Sequence, residues 1–101
     1  MAEYTDERLG LRLTVPDRLT VRQQLEYRGL IGFSTRADAY PRFWDGARHL
    51  IEEWECEAMP DKNVSIDEMD DPRVADIIFA ACNIVNGHLN KLEAEAVPKN
   101  S

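Results

Sequence analysis

The chain has 101 residues, 44% of them hydrophobic, and a formal net charge of −7. This length suits one domain with one core and is too short for two. The acidic balance argues against nucleic-acid binding, because the phosphate backbone would be repelled. There is no apolar run of about 18 residues and no basic and apolar leader. The sequence therefore predicts no membrane span and no secretion signal. We expect the protein to act in a cytoplasm.

The N-terminal third combines a charged start with one strand and one helix. Residues 1–10 are charged and aperiodic, which is typical of a loose tail. Residues 11–15 alternate apolar and polar side chains and precede a proline, as in a half-buried strand or extended arm. Since the sequence predicts no second strand, we expect this segment either to lie across the helices as an extended arm or to pair with another molecule. Thr20 and Gln23 have the spacing of a capping box and predict a first helix over residues 20–31.

The middle of the chain carries an amphipathic pattern. Bulky side chains recur at steps of three and four and predict a second helix over residues 40–57, with Pro41 in its first turn. These side chains are Tyr40, Phe43, Trp44, Ala47, Leu50, Ile51 and Trp54. We interpret the two tryptophans as core residues rather than as a ligand site. Residues 58–71 lack a helical period and are rich in aspartate, so they predict an acidic loop.

A third helix is predicted over residues 72–94, with Asp71 as its cap. His88 lies in its apolar inner stripe, and we interpret it as a buried, hydrogen-bonded histidine. The outer face of this helix is uncharged and consists of Phe79, Asn83, Asn86 and Asn90. A solvated face would usually be charged, so we expect either another part of the chain or a partner to cover it.

These elements predict a mainly α fold, a small bundle of about three helices with an N-terminal extended segment or strand. The whole chain, residues 1–101, is expected to form this single helical domain. His49 and Glu53 have the spacing of half a metal site, but no second cluster completes it. Cys56 and Cys82 have no histidine nearby in sequence to activate them. Phosphate-binding loops and nucleophile elbows are absent, so we expect no enzyme, cofactor or metal.

Four phrases, taken together, resemble a known family. They are LTVRQQLEYRG, FWDGARHLIEEWECE, DPRVADIIFAACNIVNGHLNKLE and the later VPKN. In this order they are similar to the small tail assembly chaperones of long-tailed, siphovirus-type bacteriophages, particularly those of actinobacterial hosts. The resemblance covers residues 16 to 100 and depends on helix and tryptophan patterns rather than on a catalytic signature.

The resemblance implies a protein that acts in the host bacterial cytoplasm and is absent from the mature virion. Such a protein binds the phage tape measure protein, keeps it soluble and presents it to the tail tube protein. Members of the family often also make a longer form by ribosomal frameshifting, and Pro98-Lys99-Asn100 is compatible with a slippery codon run. The uncharged helix face and the strand permit self-association as a homo-oligomer as well. The expected contact residues are Leu11, Leu13, Val15, Phe79, Asn83, Asn86 and Asn90.

Two other classes of protein fit the same residues. A small virion structural protein, such as a connector or tail component, would fix the strand and the apolar helix face in an oligomeric ring. An acidic regulator would occupy the basic surface of a host protein, and its binding would depend on salt and on Glu52, Glu53 and Glu57. Nucleic acid and membranes are not expected as partners of any of the three.

Overall fold

A computed structural model describes residues 1–30 and 36–96 of the chain. Within these ranges there are three α-helices, a short 3₁₀ turn and a three-stranded antiparallel sheet. The strands are β1 (Ala2–Asp6), β2 (Leu11–Val15) and β3 (Glu53–Cys56), and the helices are α1 (Val21–Leu30), α2 (Tyr40–Ala47) and α3 (Pro72–Ala96). The prediction of a mainly α bundle is therefore wrong, because the fold is a mixed α/β domain in which the sheet forms one wall of the core.

β2 is the central strand, not an unpaired arm. It pairs antiparallel with β1 on one side and with β3 on the other, so that Leu11 lies opposite both Asp6 and Cys56. The expectation that β2 has open edges is wrong, because both of its hydrogen-bonding edges are used within the chain. The outer face of the sheet is solvated, and there Arg12 lies within 4 Å of the carboxylates of Glu3, Glu53 and Glu55.

The first ten residues are not a loose tail. Residues 2–6 form β1, and a four-residue turn ending at Gly10 leads into β2. In this turn the amide of Leu9 donates to the carbonyl of Asp6 at 3.2 Å. The strand is hard to recognise from sequence, because Tyr4 is its single large apolar side chain and its order comes from pairing with β2.

The β1–β2 turn depends on a glycine, because Gly10 has a φ of +62°. We expect Gly10→Ala to lower the free energy of unfolding by about 1 kcal/mol, since an L side chain disfavours left-handed backbone. A β-carbon there would meet no atom within 4 Å, so the cost is conformational rather than steric. Urea unfolding measures this change in the free energy of unfolding. Gly29→Ala within α1 is the control and should be neutral or stabilising. Equal effects of the two substitutions would contradict the assignment.

α2 ends at Ala47, so the prediction of one helix over residues 40–57 is wrong. After Ala47 the chain forms a turn, in which the amide of Leu50 donates to the carbonyl of Ala47 at 2.9 Å. The amide of Glu52 then donates to the carbonyl of Thr14 at 2.9 Å, which transfers the chain from the helix to the sheet. Thr14 also accepts a hydrogen bond from the amide of Glu53 through its side-chain hydroxyl, at 3.0 Å.

Residues 53–56 form β3 because their side chains also fit a strand. Glu53 and Glu55 are exposed, whereas Trp54 and Cys56 face inward, which is the period of two of a half-buried strand. Apolar steps of three and four fit the same short stretch as a helix, so periodicity alone does not decide. The edge of β2 that β1 does not use decides, since a strand at this edge satisfies the backbone hydrogen-bonding groups of both strands.

The core lies between the inner face of the sheet and the helices α2 and α3. Trp44 is fully buried, and its ring packs against that of Trp54 with centroids 5.5 Å apart. The interpretation of the tryptophans as packing residues is confirmed, although they lie on different elements. The fully buried side chains also include Leu11, Leu13, Leu50, Met59, Ile77, Val85 and Leu89.

The helix starts agree with the sequence analysis. Thr20 Oγ1 accepts from the amide of Gln23 at 3.1 Å, and Gln23 Oε1 accepts from the amide of Thr20 at 2.9 Å, which is a reciprocal capping box. At the start of α3, Asp71 Oδ1 accepts from the amide of Arg73 at 2.9 Å. The predicted helix over residues 20–31 is observed as Val21–Leu30, with residue 31 outside the described residues, and α3 extends slightly beyond the predicted residue 94.

The predicted acidic loop is irregular but firmly attached. Met59 is only 1% exposed, and its carbonyl accepts from Trp54 Nε1 at 2.6 Å. Lys62 Nζ donates to the carbonyl of Arg48 at 2.8 Å, just beyond the end of α2. Burial of the ammonium group lowers the pKa of Lys62. The loop therefore has a defined path from β3 to α3.

Candidate partner-binding groove

An open groove of about 200 Å³ lies between the start of α2, the loop that precedes α3 and the first two turns of α3. It is lined by Tyr40, Pro41, Ile66, Met69, Asp71, Val74, Ala75, Ile78 and Phe79. Met69 and Phe79 are 41% and 40% exposed, which is unusual for side chains of this size. We call this feature the α2–α3 groove. Its lining is largely apolar, so its chemistry is that of a docking surface for apolar side chains.

Tyr40 fixes the position of Phe79 in the groove. The two rings pack edge to face, with centroids 4.4 Å apart and an angle of 88° between their planes. The hydroxyl of Tyr40 also donates to Asn83 Oδ1 at 3.4 Å. Aromatic pairs in this geometry are favourable beyond the area that they bury. Phe79 is therefore held by α2 while a large part of its side chain stays accessible.

Exposed carboxylates surround the groove. Asp67, Glu68 and Asp70 lie on the loop between its lining residues, and Asp76 lies one turn before Phe79 on the exposed side of α3. We call these four residues the acidic rim. Among the described residues, none of the four forms an ion pair, so their charge is available to a partner.

Asp71 differs from the acidic rim because it already has a cation. Arg73 Nη2 lies 2.8 Å from Asp71 Oδ2. The hydrogen bond from the Arg73 side chain, followed by that from its backbone amide, lowers the pKa of Asp71. This carboxylate is thus committed to capping α3, and the acidic rim supplies the uncompensated charge of the groove.

The structure separates the predicted contact residues into two groups. Leu11, Leu13 and Val15 are at most 1% exposed and lie in the core on β2, so they offer no surface to a partner. Phe79 and Asn83 lie together at the α2–α3 groove. The remaining two residues, Asn86 and Asn90, follow on later turns of α3, where Asn86 is half-buried and Asn90 is exposed.

Sequence reasoning missed three residues that shape the groove. Tyr40 is assigned to the core stripe of the second helix, and although it is buried its ring is a wall of the groove. Ile66 and Met69 belong to the acidic loop, where we expected no site. The signal that could have pointed to them is their apolar character within a run of acidic residues.

His88 has a structural role. Its Nε2 lies 2.8 Å from the carbonyl oxygen of Pro16, and its Nδ1 lies 2.8 Å from the hydroxyl of Tyr4. A carbonyl can only accept, so Nε2 carries a hydrogen, and in the tautomer that has this single hydrogen Nδ1 accepts from the hydroxyl of Tyr4. The side chain is 3% exposed. The interpretation of His88 as a buried, hydrogen-bonded histidine is confirmed.

Metal ligands do not cluster in the described part of the chain. Across residues 1–30 and 36–96, no group of three histidine, cysteine or acidic side chains could hold a metal ion. His49 is exposed beyond the end of α2, and Glu53 lies on β3, so the helical spacing that related them in the sequence is lost.

Cys82 is fully buried on α3, and burial raises the pKa of its thiol to about 12. We expect its reaction with a disulfide reagent at about pH 8 to be on the order of 1,000-fold slower in the folded protein than in urea, because the thiolate is the reactive form. A Cys56→Ala variant, which leaves Cys82 as the single thiol, isolates this rate. Similar rates in the folded and unfolded protein would contradict the burial of Cys82.

Comparison of the chain with protein-family models, with curated proteins and with solved structures finds no match. None of the helices in the described residues is long and apolar enough to cross a bilayer.

Proposed function

We propose that the protein is a tail assembly chaperone of a long-tailed bacteriophage and has no enzymatic activity. It binds the phage tape measure protein in the α2–α3 groove, keeps that long chain soluble and promotes assembly of the tail tube protein around it. It acts in the host bacterial cytoplasm and is absent from the mature virion. The resemblance in residues 16 to 100 suggests the partner, and the groove supplies a surface for it.

The exposed pair of Met69 and Phe79 in an apolar groove is the observation on which this proposal depends. A groove between two helices accepts the apolar face of an amphipathic helix, whose side chains recur every three to four residues. A tape measure protein is a long helical chain, so it offers many such faces. Aromatic residues and methionine are also enriched in protein interfaces, where charged residues are depleted from the centre.

The test is co-expression with the tape measure protein of the same genome, followed by pull-down and by assay of its soluble fraction. We expect the tape measure protein to stay soluble with the wild-type protein and to precipitate with Phe79→Asp, because a carboxylate in the apolar groove must be desolvated on binding. Val64→Asp is the matched control. Val64 is 37% exposed but does not line the groove, so this variant should behave as wild type.

Two results would overturn the proposal. One is a tape measure protein that remains insoluble with, and never associates with, a folded wild-type protein. The other is equal rescue by Phe79→Asp and wild type, which would remove the groove from the interaction. Circular dichroism of both variants is expected to match that of the wild type, since Val64 and Phe79 are 37% and 40% exposed.

A virion structural role is the second candidate. The outer edges of β1 and β3 carry no further strand among the described residues, and such edges can pair with another subunit. In that case the protein would be found in purified virions by immunoblot, and the pure protein would form rings. A chaperone is expected to be absent from purified virions, so the immunoblot separates the two roles.

A further inference from the structure

α1 presents an apolar pair to solvent. Val21 and Leu25 are 73% and 63% exposed, and they are adjacent on the helix because they lie four residues apart. None of the residues of α1 is buried. An exposed valine and leucine side by side have no role in the core of their own chain.

The opposite side of α1 is the side that attaches it to the domain. Leu30 packs over Gly46 of α2, where a β-carbon would come within 2.7 Å of Leu30 Cδ2. The hydroxyl of Tyr27 donates to the carboxylate of Glu93 on α3, which raises the pKa of Tyr27 to about 12. Because attachment uses this side, Val21 and Leu25 face away from their own domain.

Basic residues flank the apolar pair. At about 100° per residue, Arg28 and Arg22 lie on either side of Val21 and Leu25 on the surface of the helix. Both arginines are exposed, but Arg22 already makes an ion pair with Glu26 at 3.4 Å, one turn along α1, and Arg28 also lines an open pocket between α1 and α3. This face therefore combines two apolar side chains with positive charge, within a chain whose net charge is −7.

The same molecule carries the complementary surface. The α2–α3 groove is apolar and open, with room for a small number of side chains, and the acidic rim beside it holds four carboxylates without an ion pair among the described residues. An apolar ridge flanked by arginines thus matches an apolar groove flanked by carboxylates in both shape and charge.

We propose that α1 of one copy of this protein docks in the α2–α3 groove of a second copy. Val21 and Leu25 enter the groove beside Met69 and Phe79, and the arginines of α1 face the acidic rim. The contact forms between copies because Val21 and Leu25 point away from their own domain. It joins two different surfaces, so it either closes reciprocally into a dimer or continues head to tail.

Under the proposed function the tape measure protein would compete with α1 for the same groove, so the self-association is tested on the purified protein alone, where its failure is distinguishable from failure of the proposed function. Sedimentation equilibrium should show a weight-average mass that rises above 11.6 kDa with concentration. Raising NaCl from about 0.05 to 0.5 M should weaken the association, because salt screens the arginine–carboxylate attraction. A monomer at all concentrations and at low salt would overturn the proposal.

Two variants and their mixture identify the surfaces. Leu25→Asp and Phe79→Asp should each weaken self-association at least tenfold, whereas Val64→Asp should not. An equimolar mixture of Leu25→Asp and Phe79→Asp should associate again, because the intact α1 of the second variant fits the intact groove of the first. A mixture that stays monomeric, or a Leu25→Asp variant that associates like wild type, would overturn the pairing of α1 with the groove.

Discussion

Replacing Trp44 by alanine is expected to lower the free energy of unfolding by about 3–5 kcal/mol. The side chain is fully buried between α2 and the sheet, and it packs against Trp54. Alanine would leave a cavity that the rigid strands on one side cannot fill. Since a domain of this size is stable by only about 5–15 kcal/mol, much of the protein would be unfolded at moderate temperature. Urea unfolding followed by circular dichroism measures the change.

Trp44→Phe is the matched control for cavity formation. Trp44 Nε1 is buried and has no hydrogen-bond partner among the described residues. Phenylalanine removes this unpartnered donor, which offsets part of the lost packing. We expect a smaller loss than for alanine, because phenylalanine leaves a smaller cavity. If alanine and phenylalanine destabilise equally, cavity formation is not the cause of the effect.

The second large effect is expected at His88, where His88→Phe should lower the free energy of unfolding by about 2–3 kcal/mol. Phenylalanine keeps most of the volume but leaves the carbonyl of Pro16 and the hydroxyl of Tyr4 without their partner. A buried polar group that loses its partner costs about 1–3 kcal/mol. The measurement is chemical denaturation of the variant and the wild type at the same pH.

Tyr4→Phe tests whether the two side chains act together. Alone it should cost about 1 kcal/mol, because one hydrogen bond at a half-buried site is lost. In the double variant with His88→Phe, the further loss of unfolding free energy caused by Tyr4→Phe should be smaller than its loss alone, since its partner is already missing. Additive losses would show that the hydrogen bond between Tyr4 and His88 contributes nothing to stability.

The parts of the fold that were predicted from sequence depend on local signals. The capping box of Thr20 and Gln23, the cap at Asp71 and the apolar period of α3 each lie within a few residues of one another. The alternation at 11–15 is equally local, and it predicts the strand that the structure contains. Such signals are readable without knowledge of the tertiary structure.

The strands that were missed depend on distant partners. β1 has a single large apolar side chain, Tyr4, and residues 53–56 fit a helical and a strand period equally well. Both become strands because the edges of β2 require partners, and no pattern within β1 or β3 reports that requirement. The mainly α prediction failed at these two short segments.

The residues of the candidate site were likewise predicted only where the signal is local. Phe79 and Asn83 stood out because the outer face of α3 has little charge, which is a property of one helix. Tyr40 and Met69 come from two other elements, and their meeting with Phe79 is decided by how α2 and the loop pack. The error at Leu11, Leu13 and Val15 came from treating β2 as an unpaired strand.

The central position of β2 also determines the order in which the chain can fold. Its pairing with β1 is local and closes through a four-residue turn, whereas Thr14 and Glu53 meet across 39 residues and Tyr4 and His88 across 84. Contacts between distant residues form late, because closing a long loop costs more entropy. In a folding chain the β1–β2 hairpin is thus expected to form first, with one edge of β2 and its leucines open to solvent. Pulse-labelled hydrogen exchange should protect the amides shared by β1 and β2 before those shared by β2 and β3. Until β3 pairs with β2 and α3 packs on the sheet, this open strand edge and these leucines can start aggregation.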